Sequence, residues 1–389
     1  MKKLLLLSAA TFLLAGQAQA AKLFSLDLTQ GALNADRSYN SIMDLFDDYE
    51  KGGLKKIIAS YDETAASSGI VNFRGILMNL NFDSSSHLTF KVDSLGINEV
   101  FNGSTQRESF KMLKDYLKKN NKDLLQKILK AGVEETPFDA VAGNPNSLMA
   151  QMADASFSRA GGNAMGTVLG YLAPNAAKHT ISYHGEHVDA LTASLPIGAT
   201  FNFGDSGWAL LWDMPLDYTD MEGSVSYMAQ MGLGLKIPLT KYWSLTPAVR
   251  GGVVGSEDML SGGVLYNGTI TSDISVPVGK WTLGMTNMAG IIRDYSVKVK
   301  GYEVDYDMKN QVFKNGVHAR YDFNDKYAMA GGYNYTLYTG DKLYIDSYHD
   351  LELSFTRKTQ GFISGVSLVS NYTFDKNYNA YRLGLRFSF

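Results

Sequence analysis

The pattern of apolar and polar positions along the chain changes near residue 180. From there to the C-terminus, apolar side chains recur at every second position, which is the period of a β-strand. The last segment shows this most clearly, with one face made of Tyr381, Leu383, Leu385, Phe387 and Phe389. Eleven such strands are predicted between residues 187 and 389, and residues 165–184 are expected to supply a twelfth.

The opposite faces of these strands carry charges, whereas the apolar faces carry almost none. A sheet in lipid cannot leave an edge unpaired, so it must close. We therefore predict an all-β transmembrane antiparallel β-barrel of twelve strands, or alternatively ten, over residues 166–389. The charges predicted to face its lumen are Asp213, Lys236, Arg250, Asp273, Arg320, Asp322, Glu352, Arg382 and Arg386. Such groups either pair across the lumen and brace it or line a pore and select solutes.

Residues 21–165 mix helical and strand periodicities, which predicts a small α+β domain ahead of the barrel. Short helices are predicted at residues 38–49 and 53–61, and alternating apolar residues over 70–82 predict strand. Residues 88–101 are predicted to form a hairpin. A helical pattern follows over 106–132, where Asn120 and Asn121 are expected to break it. Another short helix is predicted over 147–157, just before the barrel.

The first twenty residues have the layout of a cleaved export signal. Lys2 and Lys3 precede an apolar stretch over residues 4–14, and Ala18 and Ala20 give the small-x-small pattern that signal peptidase recognises. The stretch is too short to span a bilayer, which needs about 20 residues. We therefore expect export, with cleavage after Ala20, and a location in the outer membrane of a Gram-negative cell.

Composition excludes several classes of site. The chain contains 38 Gly, 23 Tyr and 19 Phe, which suits a sheet with aromatic belts, and it has no cysteine for disulfides or thiolate metal ligands. The formal net charge of −3 gives no basic surface for nucleic acid.

Two groups of residues have the types needed for chemistry. The run 204–207 (Gly-Asp-Ser-Gly) contains a serine, but it lies in a predicted turn without the following helix of a nucleophile elbow. His184, His187 and Asp189 have metal-ligand types, but a metal site needs further converging groups. We predict no catalytic residue, no metal site, no cofactor and no enzymatic activity.

The C-terminal strand resembles the signal by which the barrel-assembly machinery accepts outer-membrane proteins, which implies that machinery as a partner, beside outer-membrane lipid. Residues 180–389 resemble the β-domains of autotransporters, although residues 22–165 lack the repeats usual in a secreted passenger. The whole chain also looks like outer-membrane proteins in which a short N-terminal domain precedes a solitary barrel. This resemblance implies location and fold, not activity.

Three functions remain open at this stage. In the first, the N-terminal domain is periplasmic or lumen-associated, and the protein acts in transport, envelope integrity or partner docking. In the second, a small autotransporter displays residues 21–165 at the cell surface. The third, a membrane enzyme, has the least support. A helix threading the barrel just before its first strand would favour the second, and residues 147–159 are the candidate.

Overall fold

The computed structural model describes residues 23–119, 122–162, 169–259, 261–299 and 302–389. The predicted signal peptide and the predicted helix break at Asn120 and Asn121 lie outside the described residues. Within the described ranges, no helix is both long enough and apolar enough to cross a membrane.

The N-terminal domain is a six-stranded antiparallel sheet with helices packed on one face. Its strands lie in the order β2-β1-β3-β4-β5-β6. Their bounds are β1 Phe24–Gln30, β2 Leu33–Tyr39, β3 Ser67–Phe73, β4 Ile76–Phe82, β5 Leu88–Val92 and β6 Ile97–Phe101. The helices are α1 Ile42–Glu50, α2 Gln106–Lys119 and α3 Lys122–Glu135. Stacking of Tyr49 in α1 on Phe110 in α2, with ring centroids 4.5 Å apart, joins two of these helices above the sheet.

The domain differs from the sequence prediction at one of the predicted helices. The segment predicted as a helix over 53–61 forms only a short 3-10 turn, Gly53–Lys56. The segment 70–82, whose alternating apolar residues predict strand, belongs to two strands, because Arg74 and Gly75 adopt positive φ angles of 52° and 91° and reverse the chain between β3 and β4. The hairpin over 88–101 agrees with the prediction.

The second half forms a closed antiparallel barrel of twelve strands, which confirms the predicted fold class and strand number. The first three strands each consist of two pieces, because Pro174, Pro196 and Pro215 interrupt their ladders and have no N–H to donate. The strands are β7 Gly170–Leu172 with Asn175–Tyr183, β8 Glu186–Ser194 with Ile197–Asn202, β9 Ala209–Met214 with Leu216–Met221, β10 Ser224–Pro238, β11 Trp243–Ser256, β12 Ser261–Val278, β13 Trp281–Tyr295, β14 Lys309–Asp322, β15 Tyr327–Gly340, β16 Ser347–Lys358, β17 Gly365–Asp375 and β18 Tyr378–Ser388.

The last strand pairs with the first and closes the barrel. Along the longer piece of β7, Tyr378 lies opposite Ile181 and Gly384 lies opposite Asn175. Along the shorter piece of β7, Phe387 lies opposite Leu172. A Cβ on Gly384 would lie 2.5 Å from the Cβ of Asn175, so this position of the seam leaves no room for a side chain.

The outer surface of the barrel is an apolar belt between two aromatic girdles. The belt contains Leu233, Val249, Ile270, Met285, Val317, Leu353 and Leu368. The girdle near the C-terminus contains Phe201, Trp208, Trp243, Trp281, Phe323 and Phe355, and the girdle at the other end contains Tyr218, Tyr227, Tyr266, Tyr295 and Tyr381. This is the exterior expected of a barrel that spans an outer membrane.

The alternating pattern also predicts short turns at one end of the barrel and longer polar links at the other, among them 218–223, 293–314 and 374–379. Several links predicted to be long, such as 218–223 and 374–379, are mostly strand and end in tight turns, because the ladders run on to Met221 and Asp375. The link between β13 and β14 is long, and it contains a small hairpin, Val297–Val299 with Tyr302–Val304. We call the end where β7 begins and β18 ends the C-terminal mouth, and the other end the domain-side mouth.

Candidate functional site: the occupied lumen

The N-terminal domain covers the domain-side mouth. Contacts follow the rim from turn to turn: Ile42 N–H donates to the Asp258 carbonyl (3.1 Å), Ser224 Oγ to the Asn40 carbonyl (2.7 Å) and Tyr344 N–H to the Val133 carbonyl (2.9 Å). The buried apolar residues of the domain and of the mouth form one continuous core. The domain is therefore docked on the barrel as a cap.

Helix α4, Leu148–Phe157, runs from this cap into the barrel and packs against β10, β11, β12 and β13. Ser147 is the N-cap of the helix, and its side chain accepts a hydrogen bond from Ala150 N–H. The helix has little polar surface, and its buried side chains are Leu148, Met149, Ala150, Met152, Ala153, Ser156 and Phe157. The predicted short helix over 147–157 is thus present, and it occupies the lumen.

Glycines in the barrel wall make room for this helix. A Cβ on Gly252 would lie 2.7 Å from Leu148 Cδ1 and 3.0 Å from Met152 Sδ, and a Cβ on Gly316 would lie 3.0 Å from Phe157 Cζ. Contacts this short leave no space for a side chain, so the inner wall is shaped to the helix.

A wall glycine and its outward-facing neighbour provide a matched test of this fit. We expect Gly252→Val to displace α4 from its position in the lumen. The overpacking should lower the free energy of unfolding by about 1–3 kcal/mol. Gly251→Val should have little effect, since nothing lies within 4 Å of a Cβ at Gly251. Urea unfolding measures the cost, and tryptic cleavage after Arg159 reports whether the helix end has become accessible. Equal behaviour of the two variants would show that the lumen does not hold α4 tightly.

One ion-pair network fastens α4 to the wall. Lys314 Nζ on β14 lies 2.7 Å from Asp154 Oδ1 on α4 and 2.8 Å from Asp350 Oδ2 on β16. Tyr348 Oη donates to the same Asp154 oxygen at 3.1 Å, and Lys314 Nζ lies 5.5 Å from the ring centroids of both Phe157 and Tyr348. The lysine side chain is 4% exposed, so this interaction is shielded from water.

A second buried pair contacts the end of the helix. Arg250 on β11 donates to Asp213 Oδ1 on β9 at 2.8 Å and to Ser156 Oγ on α4 at 3.1 Å. The pair spans two strands that are not neighbours and includes the helix between them. It therefore braces the lumen and holds α4 at the same time.

Polar contacts also fix the chain just before α4. His179 on β7 contacts Tyr378 Oη at 2.6 Å and Thr192 Oγ1 at 2.9 Å. Thr192 in turn donates to Asn146 Oδ1 at 3.3 Å, one residue before the helix cap. This chain of hydrogen bonds links the barrel seam to the start of the helix.

A buried cluster clamps the N-terminal domain to the domain-side mouth. Arg74, in the turn between β3 and β4, lies 2.6 Å from Asp139 Oδ2, with the two side chains 1% and 0% exposed. Asp139 also accepts from Tyr306 Oη at 3.1 Å and from Ser261 Oγ at 3.4 Å, both of which belong to the barrel. Burial and the Asp139 carboxylate raise the pKa of Tyr306 well above its usual value, so Tyr306 remains a donor.

Most of the predicted lumen charges line one cavity of about 390 Å³ between α4 and the C-terminal mouth. The residues that line it are Asp213, Lys236, Asp273, Arg320, Glu352, Arg382 and Arg386. Arg250 lies deeper and pairs with Asp213, whereas Asp322 pairs with Arg320 (3.2 Å) and Lys358 (2.9 Å). Of the predicted assembly-signal residues, Tyr381 and Leu383 are exposed on the outer face.

The residues considered for catalysis or metal binding do not form a site. Ser206 Oγ donates to the Phe203 carbonyl and accepts from Trp208 N–H, as expected within a turn. His187 contacts Ser182, and Asp189 pairs with Lys178 at 2.9 Å on the outer face, while His184 sits in the turn between β7 and β8. Across the described ranges, no three potential ligand residues converge for a metal ion.

Helix α4 is the plug of the lumen, and the residues that hold this plug were not identified from the sequence. The polar link predicted over 293–314 includes Lys314, whereas β14 already begins at Lys309. Asp350 is two positions from Glu352 on β16, so both lie on the inward face of that strand. This shared face was the signal by which Asp350 could have been found. Arg74 and Asp139 had no such signal, since each lies in a turn or loop.

No protein-family model and no curated protein matches the chain. Among solved structures, it is similar to the translocator domain of autotransporter NalP from Neisseria meningitidis, with 13% identity and a TM-score of 0.47, over 62% of this chain and 96% of that one. For the β-domain of the Bordetella autotransporter BrkA, the identity is 12% and the TM-score is 0.41, over 57% of this chain and 98% of that one. For an outer membrane channel from Pseudomonas putida F1, the identity is 13% and the TM-score is 0.42, over 58% of this chain and 97% of that one. At these values the similarity carries no argument about an activity.

Proposed function

We propose that the protein is a small autotransporter-type barrel of the outer membrane that displays its own N-terminal domain at the cell surface and keeps helix α4 in the lumen. The observation that carries the proposal is the path of the chain. The domain caps one mouth, α4 lies in the lumen, and the first barrel strand begins at the opposite mouth, beside Phe389.

The orientation follows from the expected role of the C-terminal strand. If the assembly machinery reads that strand from the periplasm, the C-terminal mouth faces the periplasm. The domain-side mouth then faces outward, and residues 23–135 lie outside the membrane. A domain of this size exceeds the lumen of a twelve-stranded barrel, so it has to project from a mouth.

The fit of α4 to the wall favours a lasting anchor over an open pore. Its buried face, the wall glycines and the Lys314 network all complement the helix in one position. An open solute pathway along the barrel axis would require those contacts to be broken. The displayed domain would then serve as a surface element for docking a partner, held by the barrel rather than released.

The orientation of the barrel in the membrane is tested with two short epitope tags, inserted at opposite ends of the same protein. One tag enters the exposed β1–β2 turn at Gly31, where a Cβ would meet nothing within 4 Å, and the matched control enters the exposed turn at Asp325. We expect a membrane-impermeant antibody to stain the Gly31 tag on intact cells and the Asp325 tag only after the outer membrane is permeabilised. The reverse pattern would place the domain in the periplasm and refute surface display.

A further inference from the structure

Lys314 Nζ lies between two carboxylates at a place in the lumen that water hardly reaches. It is 2.7 Å from Asp154 Oδ1 on the plug and 2.8 Å from Asp350 Oδ2 on the wall. The side chains of Lys314 and Asp350 are only 4% and 10% exposed. Buried charges are costly even when they are paired, so conversion of one ammonium and one carboxylate into a neutral group would lower that cost.

Hydrogen bonds from the wall fix the direction of each carboxylate. Tyr348 Oη donates to Asp154 Oδ1 at 3.1 Å, and this is the same oxygen that Lys314 Nζ contacts. Thr373 Oγ1 on β17 donates to Asp350 Oδ1 at 2.7 Å, and Oδ2 of that group contacts the lysine. One carboxyl group is thus held against Nζ by a hydroxyl donor, and the other is placed to accept a proton from Nζ.

These contacts match the requirements for an amide bond between two side chains. A lysine amine is a nucleophile once it has lost a proton, and an adjacent carboxylate can take that proton. Reactants held in contact behave as if at an effective concentration of about 10⁵–10⁸ M, which compensates for the low reactivity of a carboxyl group. A hydroxyl donor at the carboxyl oxygen stabilises the negative charge that develops there during the attack.

We propose that Lys314 Nζ and Asp154 Cγ form an amide bond, which joins the plug covalently to the barrel wall, with Asp350 as the group that moves the protons. The ammonium group starts with three protons and Nζ keeps one. Asp350 takes the other two in turn and passes them to the Asp154 oxygen that Tyr348 does not hold. The new C–N bond replaces the C–O bond to that oxygen, which leaves as water. Asp350 ends as a carboxylate, and no atom is oxidised or reduced.

The choice of Asp154 as the reacting acid rests on its surroundings. Its side chain is 24% exposed, so the water that forms can leave, whereas the side chain of Asp350 is 10% exposed. Asp154 also accepts the Tyr348 hydrogen bond on the oxygen next to Nζ. The Lys309–Asp307 pair, at 2.9 Å, lacks these features, since both side chains are exposed to water that keeps them charged. We expect no bond there.

Mass spectrometry of the full-length chain tests the proposal. Protein from inclusion bodies, unfolded in urea, should have the mass of its sequence, and the same protein folded in detergent should be lighter by one water molecule. After denaturation and complete trypsin digestion, peptide 310–320 should be uncut at Lys314 and joined to peptide 131–159. Cleavage after Lys309 should be complete, because that lysine keeps a free amine.

Two variants separate the covalent bond from the ion pair. Lys314→Arg keeps a positive charge between the two acids but has no amine, so its mass should not change on folding. Asp350→Asn keeps the two reacting groups but removes the proton acceptor, and it should slow the loss of water by about 100-fold or more.

Three results would overturn the proposal. The first is complete trypsin cleavage after Lys314 in the folded wild-type protein, and the second is a link from Lys314 to the Asp350 peptide, 343–357. The third is loss of water from Asp350→Asn at the wild-type rate. The wild-type digest decides the question even where a variant does not fold. The bond goes beyond the proposed surface display and does not depend on it, since it fixes the plug whichever way the barrel faces.

Discussion

Replacing Arg74 with methionine is expected to undock the N-terminal domain from the barrel. The substitution keeps much of the side-chain volume but leaves the carboxylate of Asp139, which is 0% exposed, without its ion-pair partner. Breaking a buried pair from one side costs about 3–5 kcal/mol, because the remaining charge is desolvated and uncompensated. Tyr306 and Ser261 still donate to Asp139, but they carry no positive charge.

Urea unfolding of the full chain, together with limited proteolysis of the domain, measures this effect. Arg107→Met is the control, since Arg107 pairs with Glu63 at 2.5 Å on the surface, where such a pair contributes about 0–1 kcal/mol. Combining Arg74→Met with Asp139→Asn should recover part of the loss, because no buried charge remains. If Arg74→Met were no more harmful than Arg107→Met, the cluster would not be what fastens the domain.

The second large effect is expected for Lys314→Met in the lumen. This change leaves two carboxylates, Asp154 on α4 and Asp350 on the wall, facing each other without the cation between them. We expect a loss of about 3 kcal/mol, at the lower end for a buried pair, because the side chain of Asp154 remains 24% exposed. Repulsion between the two acids should also push α4 away from β14.

Lys309→Met is the matched control on the same strand. Lys309 pairs with Asp307 at 2.9 Å, but both side chains are more than half exposed, so its loss should have little effect on stability. Mobility of the folded protein on unboiled gels after heating reports barrel stability, and tryptic cleavage after Arg159 reports release of the plug. A Lys314→Met protein that behaves like Lys309→Met would mean that α4 is held by packing alone.

The two predictions concern different parts of one assembly. The Arg74 cluster joins the cap to the rim, whereas the Lys314 network joins the helix to the wall about midway along β14. Loss of the first should expose the domain to protease while α4 stays in place. Loss of the second should expose the helix end while the cap contacts remain, so the two variants can be told apart.

The barrel was predictable because its information is local. Alternation of apolar and polar residues assigns each residue to the inner or outer face before any strand partner is known. This is why the outward face of β18 and the number of strands agree with the prediction. A short signal such as the 53–61 segment failed, since a weak helical pattern over a few residues does not outweigh the packing around it.

The sequence by itself determined a closed twelve-stranded barrel with an apolar exterior, charges on the inner faces and a separate α+β domain ahead of it. Only the tertiary structure decided which mouth the domain covers, that α4 occupies the lumen, and which charges pair. Arg74 and Asp139 are 65 positions apart and Lys314 and Asp154 are 160 apart. The odd or even position of a residue along its strand states which way its side chain points. It contains no information on the partner that another element brings to it, because strand tilt, register and the path of the plug are set by the closed fold as a whole.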